Sequence, residues 1–238
     1  MGWLKRISRR MFGGNPLHEA AGAGRRSFAW LPSNPGAVAA MTATQTELRT
    51  KSRDLVRRNA WANAALESYV ANAIGTGIKP QSLVTDPTIR ERIQALWRDW
   101  TLDADAAGLT DFYGLQALAC RAMLEGGEAL IRIRYRRKED GLAVALQLQV
   151  LEPEHLPVTL NTTAENGNVI RAGIEFDRLG RRVAYHLYRT HPEDGALAPM
   201  SGNGGTETVR VDASEILHLF RPLRPGQIRG EPWLARAL

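Results

Sequence analysis

The stretch HLFRPLRPGQIRG, residues 218–230, overlaps the end of a strand-like run from Ile216 to Phe220. Pro222 and Pro225 hold the backbone extended on the approach to Gly226, a residue that tolerates tight turns. We therefore predict that a β-strand ends here in a rigid loop. The segments before it determine which elements this strand joins.

The region before residue 80 has the pattern of one long helix. Thr44 and Glu47 have the spacing of a capping box, in which a Thr hydroxyl and a Glu carboxylate satisfy the free amides of a helix start. Gly75 and Gly77 predict its end, because glycine adopts the left-handed conformation that closes helices. An unbroken helix over residues 44–74 would be roughly 45 Å long. Its apolar stripe consists of Leu48, Leu55, Ala62, Leu66, Tyr69 and Ala73.

Two shorter helices are predicted next, each with residues that favour a helix start. Trp97 and Trp100 lie on one face of the first of them, and we interpret both as core or subunit-contact residues. Cys120 lies inside the second and is interpreted as a small core residue. The predicted cap and stop residues are Asp86 with Pro87, Asp111, and Gly126 with Gly127.

The hydrophobic period changes from helical to alternating after Gly127. Strand patterns cover residues 130–135, 142–151, 169–176, 183–188, 209–211 and 216–220. The first two, joined by a Lys-Glu-Asp-Gly turn, predict a β-hairpin. Helices followed by strands indicate an α+β fold, with N-terminal helices followed by antiparallel β-hairpins.

Positive charge is concentrated at the N-terminus. The formal net charge is +6, and residues 1–30 contribute five of these charges. The candidate nucleic-acid or partner contacts in this arm are Lys5, Arg6, Arg9, Arg10, Arg25 and Arg26. Alternation also places Arg132, Arg134 and Arg136 on one strand face, a second candidate contact surface. A solvated, disordered tail and a solvated strand face are the alternative interpretations.

The sequence lacks the motifs that are typical of several classes of function. Cys120 is the only cysteine, which excludes an intrachain disulfide and a cysteine-built zinc site and indicates a reducing compartment. The sequence has no GxxxxGKS/T phosphate loop, no HExxH motif and no GxSxG elbow. It has no secretory signal and no apolar run of the roughly 20 residues that span a bilayer. We expect no cofactor, no metal site and no membrane association.

Short motifs along the chain carry a resemblance to a known family. In order they are Gly75-Thr-Gly77-Ile78, Asp111-Phe112, Leu115-Gln116, Gly127-Glu128, Leu151-Glu152-Pro153, Gly173-Ile174-Glu175, Gly180-Arg181 and Ala184-Tyr185. The run that ends at Gly230 is the most specific. Over about residues 45–238 the sequence resembles phage portal proteins of the lambda family. The signature residues, which we expect to be structural, are Gly127, Glu128, His218, Arg221, Pro222, Arg224, Gly226, Gln227, Arg229 and Gly230.

The resemblance implies a structural subunit and not an enzyme. It implies a homo-oligomeric ring of about twelve copies at one capsid vertex. The ring would be a conduit for double-stranded DNA during genome packaging and ejection, and a docking site for terminase. Capsid and scaffold proteins are further implied partners. The implied location is the virion, assembled in the cytoplasm of the bacterial host.

The resemblance also implies a division of the chain into three parts. Residues 1–43 are expected to form a basic, flexible arm, and residues 44–220 an α+β, wing-like portal body. Residues 221–238 would be the signature loop and the start of a C-terminal helix that opens near Pro232 and is truncated at Leu238. The C-terminal half of a lambda-type portal, which would hold most of the channel, is expected to be absent.

Two other functions fit the same residues. One is a sequence-independent nucleic-acid-binding module, which would be a decayed prophage fragment. It would use the arm and the strand from Arg132 to Lys138. The other is an enzyme with a carboxylate-bound metal, because acidic residues are plentiful, although their spacing does not recommend it. Salt-dependent DNA binding and metal-dependent nuclease activity would distinguish these two.

Overall fold

A computed structural model describes residues 35–194 and 207–238. The helices are α1 (Ala37–Arg58), α2 (Ala60–Ala73), α3 (Pro87–Asp103) and α4 (Phe112–Gly126). The strands are β1 (Glu128–Tyr135), β2 (Leu146–Leu151), β3 (Thr162–Thr163), β4 (Val169–Arg171), β5 (Ile174–Phe176), β6 (Arg182–Tyr188), β7 (Thr208–Asp212) and β8 (Ile216–Phe220). Helices followed by antiparallel strands confirm the predicted α+β class.

The predicted unbroken helix over residues 44–74 is wrong at its start and in its middle. Helix α1 already begins at Ala37, and the Thr44 hydroxyl donates to the Ala40 carbonyl 3.2 Å away inside the helix, so Thr44 is not a cap. Asn59 is extended and its side chain accepts from the backbone amides of Trp61 and Ala62, which starts α2 afresh. Asparagine favours such a break because its side chain competes with the backbone for hydrogen bonds.

The two shorter helices begin as predicted. The Asp86 carboxylate accepts from the Thr88 amide at 2.8 Å, and the Asp111 carboxylate accepts from the Gly114 amide at 2.7 Å. These bonds satisfy amides that have no partner within the helix. Helix α4 ends at Gly127, whose φ of 91° is the left-handed conformation that glycine adopts without steric cost.

The first sheet has the strand order β2-β1-β8, and both pairings are antiparallel. The β1–β2 hairpin is the one predicted, with Leu130 opposite Leu151. On its other side β1 pairs with β8, where Leu130 lies opposite His218. Strand β1 is therefore central, and the strand that leads into the 218–230 stretch lies next to the start of the hairpin.

The second sheet has the order β3-β4-β5-β6-β7 and is antiparallel throughout. Both sheets contribute to one hydrophobic cluster, and a buried Leu or Ile contributes about 1.5–3 kcal/mol to stability. Its buried members are Leu130, Leu156, Ile174, Tyr185, Leu187, Val211 and Ile216. Further clusters contain Val56, Leu66, Val70 and Leu124 from three helices, and Trp100, Ala104 and Leu115 near α3.

Helix α1 buries a face that the apolar stripe does not predict. Leu48 and Leu55 are only half-buried, whereas Gln45, Arg49 and Ser52 are at most 5% exposed. These three polar residues recur at steps of four and three, so they form one side of the helix. Helix α1 therefore docks through polar contacts as well as through Val56.

The ends of the chain bear on two further predictions. Residues 37–43, assigned to the arm, belong to α1, and the basic residues of the arm lie outside the described residues. After Pro232 the chain forms one short 3-10 turn, Trp233–Arg236. The division into arm, body and signature loop stays a prediction.

Among the described residues no helix has the length and apolar character to cross a membrane.

Candidate functional site

Signature residues that are about one hundred positions apart in the sequence meet at a single buried carboxylate. Glu128 is the first residue of β1, directly after the Gly127 cap of α4, and its side chain is fully buried. Arg229, also fully buried, faces it with Nη2 at 2.6 Å from Oε1 and Nε within 3.0 Å of both oxygens. This two-point contact is the geometry in which a guanidinium binds a carboxylate most strongly.

Arg229 has a hydrogen-bond partner for every N–H it carries. Besides Glu128, its Nη1 donates to the carbonyls of Leu156 and Ala172, and its Nη2 also donates to the carbonyl of Pro153. The guanidinium has five N–H donors, and these contacts use all of them. A charge that is fully paired and hydrogen-bonded is the only kind that a protein interior tolerates.

Three further side chains complete what we call the Glu128 cluster, defined as Gln45, Arg49, Glu128, His218 and Arg229. Gln45 and Arg49 of α1 donate to Oε1 at 2.9 and 3.1 Å. His218 of β8 lies with Nε2 at 2.9 Å from Oε2. The cluster thus joins α1, the central strand β1, the edge strand β8 and the loop after it.

The electrostatics of the cluster favour an ionised Glu128. Burial opposes ionisation, but the charge of Arg229 and the hydrogen bond from His218 hold the pKa of the Glu128 carboxyl well below its usual range. Burial lowers the pKa of His218, against the opposing effect of Glu128. Because an ionised carboxylate only accepts, the neutral imidazole carries its proton on Nε2.

The backbones of two signature glycines are packed too closely for any side chain. A Cβ on Gly230 would lie 2.0 Å from the Gly127 carbonyl oxygen, and a Cβ on Gly127 would lie 2.5 Å from the backbone of Glu231. The Gly230 amide donates to Glu128 Oε2 at 2.9 Å. The end of α4 and the end of the 218–230 stretch therefore form one close-packed seam, which explains the requirement for glycine on both sides.

The remaining signature residues shape the loop between β8 and Arg229. The side-chain Oε1 of Gln227 accepts from the Leu223 backbone amide at 2.7 Å, and its Nε2 donates to the Arg229 backbone carbonyl at 2.7 Å. The guanidinium of Arg221 lies over the Trp233 ring at 5.1 Å, a cation–π contact. The other signature residues of this loop, all exposed, are Pro222, Arg224 and Gly226.

A second site contains part of the predicted arginine face. Arg132 and Arg134 of β1 line a cavity of about 380 Å³ together with Arg189 and His155. The third predicted member, Arg136, lies beyond the end of β1 and does not line the cavity; its Nε donates to Gln147 at 2.8 Å. The structure therefore brings two of the three predicted arginines together.

Comparisons with known proteins agree with the family resemblance. A model of the family described as "Phage portal protein, lambda family" matches residues 23–238. The chain belongs to this family. A probable portal protein of Halomonas phage phiHAP-1 is 31% identical over 196 residues, which is 78% of this chain and 36% of that protein. The portal-family chain therefore spans about a third of the length of this relative.

A second relative has a different description. An orotate phosphoribosyltransferase of Thermococcus gammatolerans is 26% identical over 144 residues, or 59% of this chain and 76% of that enzyme. This match is partial and of low identity, whereas the portal-family model matches residues 23–238 of this chain. The family is structural and not enzymatic.

One group of three potential metal ligands occurs among the described residues of this portal-family chain: Glu152, Glu154 and His191. Arg53 already pairs with both carboxylates, at 3.3 and 2.7 Å, and Arg49 lies 3.5 Å from Glu154. A cation there would have to displace two guanidiniums. The group is therefore better explained as an ion-pair network that attaches α1 to the turn after β2.

Sequence reasoning identified the signature residues but missed Gln45 and Arg49. No local signal marks them, because polar residues at helical spacing usually indicate a solvated face. Their only trace in the sequence is their spacing with Ser52 and Val56, at steps of four, three and four. That side of α1 can be recognised as an interface only when the burial of Glu128 is already known.

Proposed function

We propose that the chain is a structural subunit of a phage portal ring at a capsid vertex. In that role it would form part of a conduit for double-stranded DNA and of the docking site for terminase. The observation that carries the proposal is the family match over residues 23–238. The proposed location is the virion, with assembly in the bacterial cytoplasm, and the proposed partners are about twelve copies of the chain, capsid and scaffold proteins.

The buried contacts of the body support a structural role without catalysis. The Glu128 cluster joins α1, β1, β8 and the 218–230 stretch through buried hydrogen bonds. Such networks make an element rigid where their members are satisfied, as Arg229 is, whereas Gln45 Oε1 and His218 Nδ1 have no hydrogen-bond partner among the described residues. We assign the signature residues this structural role, and we place residues 44–220 in the wing-like body and residues 221–238 on its approach to the channel.

Charge distribution supports a conduit through which DNA slides. The arm carries most of the net charge, so residues 31–238 have a net charge of only +1. Each persistent phosphate contact releases counterions and adds binding free energy, which opposes sliding. A nearly neutral body makes few such contacts. The proposed contact surface for DNA or a partner is the basic arm together with Arg132 and Arg134, whereas Arg136 is bound to Gln147 outside the cavity.

Electron microscopy tests the ring. We expect negative-stain images of the purified chain, or of a version extended past Leu238, to contain closed rings of about twelve subunits. Absence of rings from both forms at high protein concentration would count decisively against the proposal.

The basic cavity favours a second candidate function, a sequence-independent DNA-binding module. In that case the chain binds a short duplex without forming rings, with an affinity that falls steeply as salt is added. Deletion of residues 1–30 should then remove most of this affinity. Rings together with weak DNA binding favour the portal subunit, whereas monomers with strong, salt-sensitive binding favour the module.

A further inference from the structure

A cavity between the two sheets has a strongly positive lining. Its walls include Arg132 and Arg134 of β1, His155, and Arg189 just after β6. Its apolar lining comes from the core between the sheets, including Leu187. Charges beside an apolar core interact more strongly than charges in water, because the surroundings have a lower effective dielectric constant.

The guanidiniums of this cavity have few counter-charges among residues 35–194 and 207–238. Arg132 Nε is buried and has no hydrogen-bond partner there, and Arg134 makes no ion pair with a described residue. Arg189 has one exposed acidic neighbour, Glu207, at 3.9 Å, a distance at which a surface pair contributes little. The segment 195–206 contains no Asp or Glu that would neutralise them.

Holding these cations together is unfavourable for the empty protein. Burial lowers the pKa of Arg132, and the nearby charge of Arg134 lowers it further, with only Glu215 acting in the opposite direction. A buried donor without a partner costs roughly 1–3 kcal/mol. An anion that accepts from these donors would recover that cost.

We infer that this cavity is a binding site for a single phosphate group. A phosphate monoanion or dianion matches a site with three guanidiniums better than a single carboxylate does, since its charge is larger and it has more acceptor oxygens. The cavity, at about 380 Å³, has room for one phosphate group and its ordered water. His155 has its Nδ1 at 3.1 Å from the Tyr188 carbonyl, so its ring is fixed at the wall.

This phosphate could come from the backbone of double-stranded DNA or from free inorganic phosphate. The evidence for phosphate binding is the lining of the cavity. The assignment of DNA as the source of the phosphate rests on the proposed function. In a ring, each subunit would carry one such pocket in its wing-like body. The two sources share the same chemistry and are distinguished by experiment.

Binding measurements on the full chain test the site. Inorganic phosphate is titrated by calorimetry, and a fluorescein-labelled duplex of about 20 base pairs by anisotropy at several salt concentrations. The variants Arg132→Gln and Arg134→Gln should each weaken phosphate binding at least about tenfold, because each removes a charge-assisted hydrogen bond. Arg136→Gln loses the same charge nearby but outside the cavity and should bind as the unsubstituted chain does.

The DNA titrations identify the source. If DNA supplies the phosphate, both cavity variants reduce the salt-dependence slope by about one counterion, and Arg136→Gln does not. If free phosphate is the ligand, the variants lose phosphate binding while their DNA affinity stays unchanged. Arg189→Gln, at an exposed position, is a third variant in case the β1 substitutions impair folding, which circular dichroism would show.

Two results would overturn the site. One is no phosphate binding by the folded chain at millimolar concentrations. The other is an equal loss in Arg136→Gln and in the cavity variants, which would mean that general charge and not the cavity attracts the anion. Neither result depends on ring formation, so failure of the phosphate site and failure of the portal proposal are separate outcomes.

Discussion

Replacement of Arg229 by Met should destabilise the protein more than almost any other single substitution. The change removes the main counter-charge of the fully buried Glu128 and leaves the carbonyls of Leu156, Ala172 and Pro153 without their donor. Breaking a buried ion pair by removing one partner costs about 3–5 kcal/mol. We expect a loss of this size in the free energy of unfolding, measured by urea denaturation at pH 7 with tryptophan fluorescence.

A double-mutant cycle separates this ion pair from simple loss of packing. The double variant Glu128→Leu/Arg229→Met removes the buried charge together with its partner. The free energy of unfolding of this variant should therefore fall by less than the sum of the two single losses, with a difference of at least about 1 kcal/mol. Arg178→Met, at an exposed position, should change stability by less than about 0.5 kcal/mol. Additive losses, or a loss below about 1 kcal/mol for Arg229→Met alone, would refute the reasoning.

Three further predictions concern the seam, the pH dependence and the helix break. Gly230→Ala should cost about 1–3 kcal/mol, since its Cβ would overlap a backbone oxygen, whereas Gly36→Ala, with open space around it, should cost little in the same urea titration. The lowered pKa of His218 means that the unfolded state takes up a proton first, so stability should fall as pH drops below about 6.5; His218→Gln should lack that slope. Below about 4.5 the depressed pKa of Glu128 should cause a further loss. Asn59→Ala should cost about 1 kcal/mol and Asn59→Asp much less, because aspartate also caps.

The parts of the fold that could be predicted from sequence are those that local chemistry determines. Asp86 and Asp111 cap their helices and Gly127 ends one, because each acts on amides or dihedral angles within a few residues. The β1–β2 hairpin follows from alternation on both sides of a short turn. The missed break at Asn59 shows the limit, since an apolar stripe that continues across a cap residue hides it.

The parts that could not be predicted depend on contacts between distant residues. Nothing near His218 indicates that β8 pairs with β1, and this pairing is what brings the imidazole to Glu128. The same holds for the cavity: alternation grouped Arg132, Arg134 and Arg136, but only the opposing sheet determines which of them line it. Sequence motifs therefore located the important residues, while their partners emerged only from the fold.

The Glu128 cluster also constrains the order of folding. The helices and the β1–β2 hairpin need only short loops, whereas Glu128 and Arg229 are separated by 101 positions. Such distant contacts form slowly, and burying the carboxylate before its counter-charge arrives costs several kcal/mol. We therefore expect a nascent chain to keep this carboxylate in water until Arg229 has been synthesised, and we expect α1, β1 and β8 to dock together late in folding.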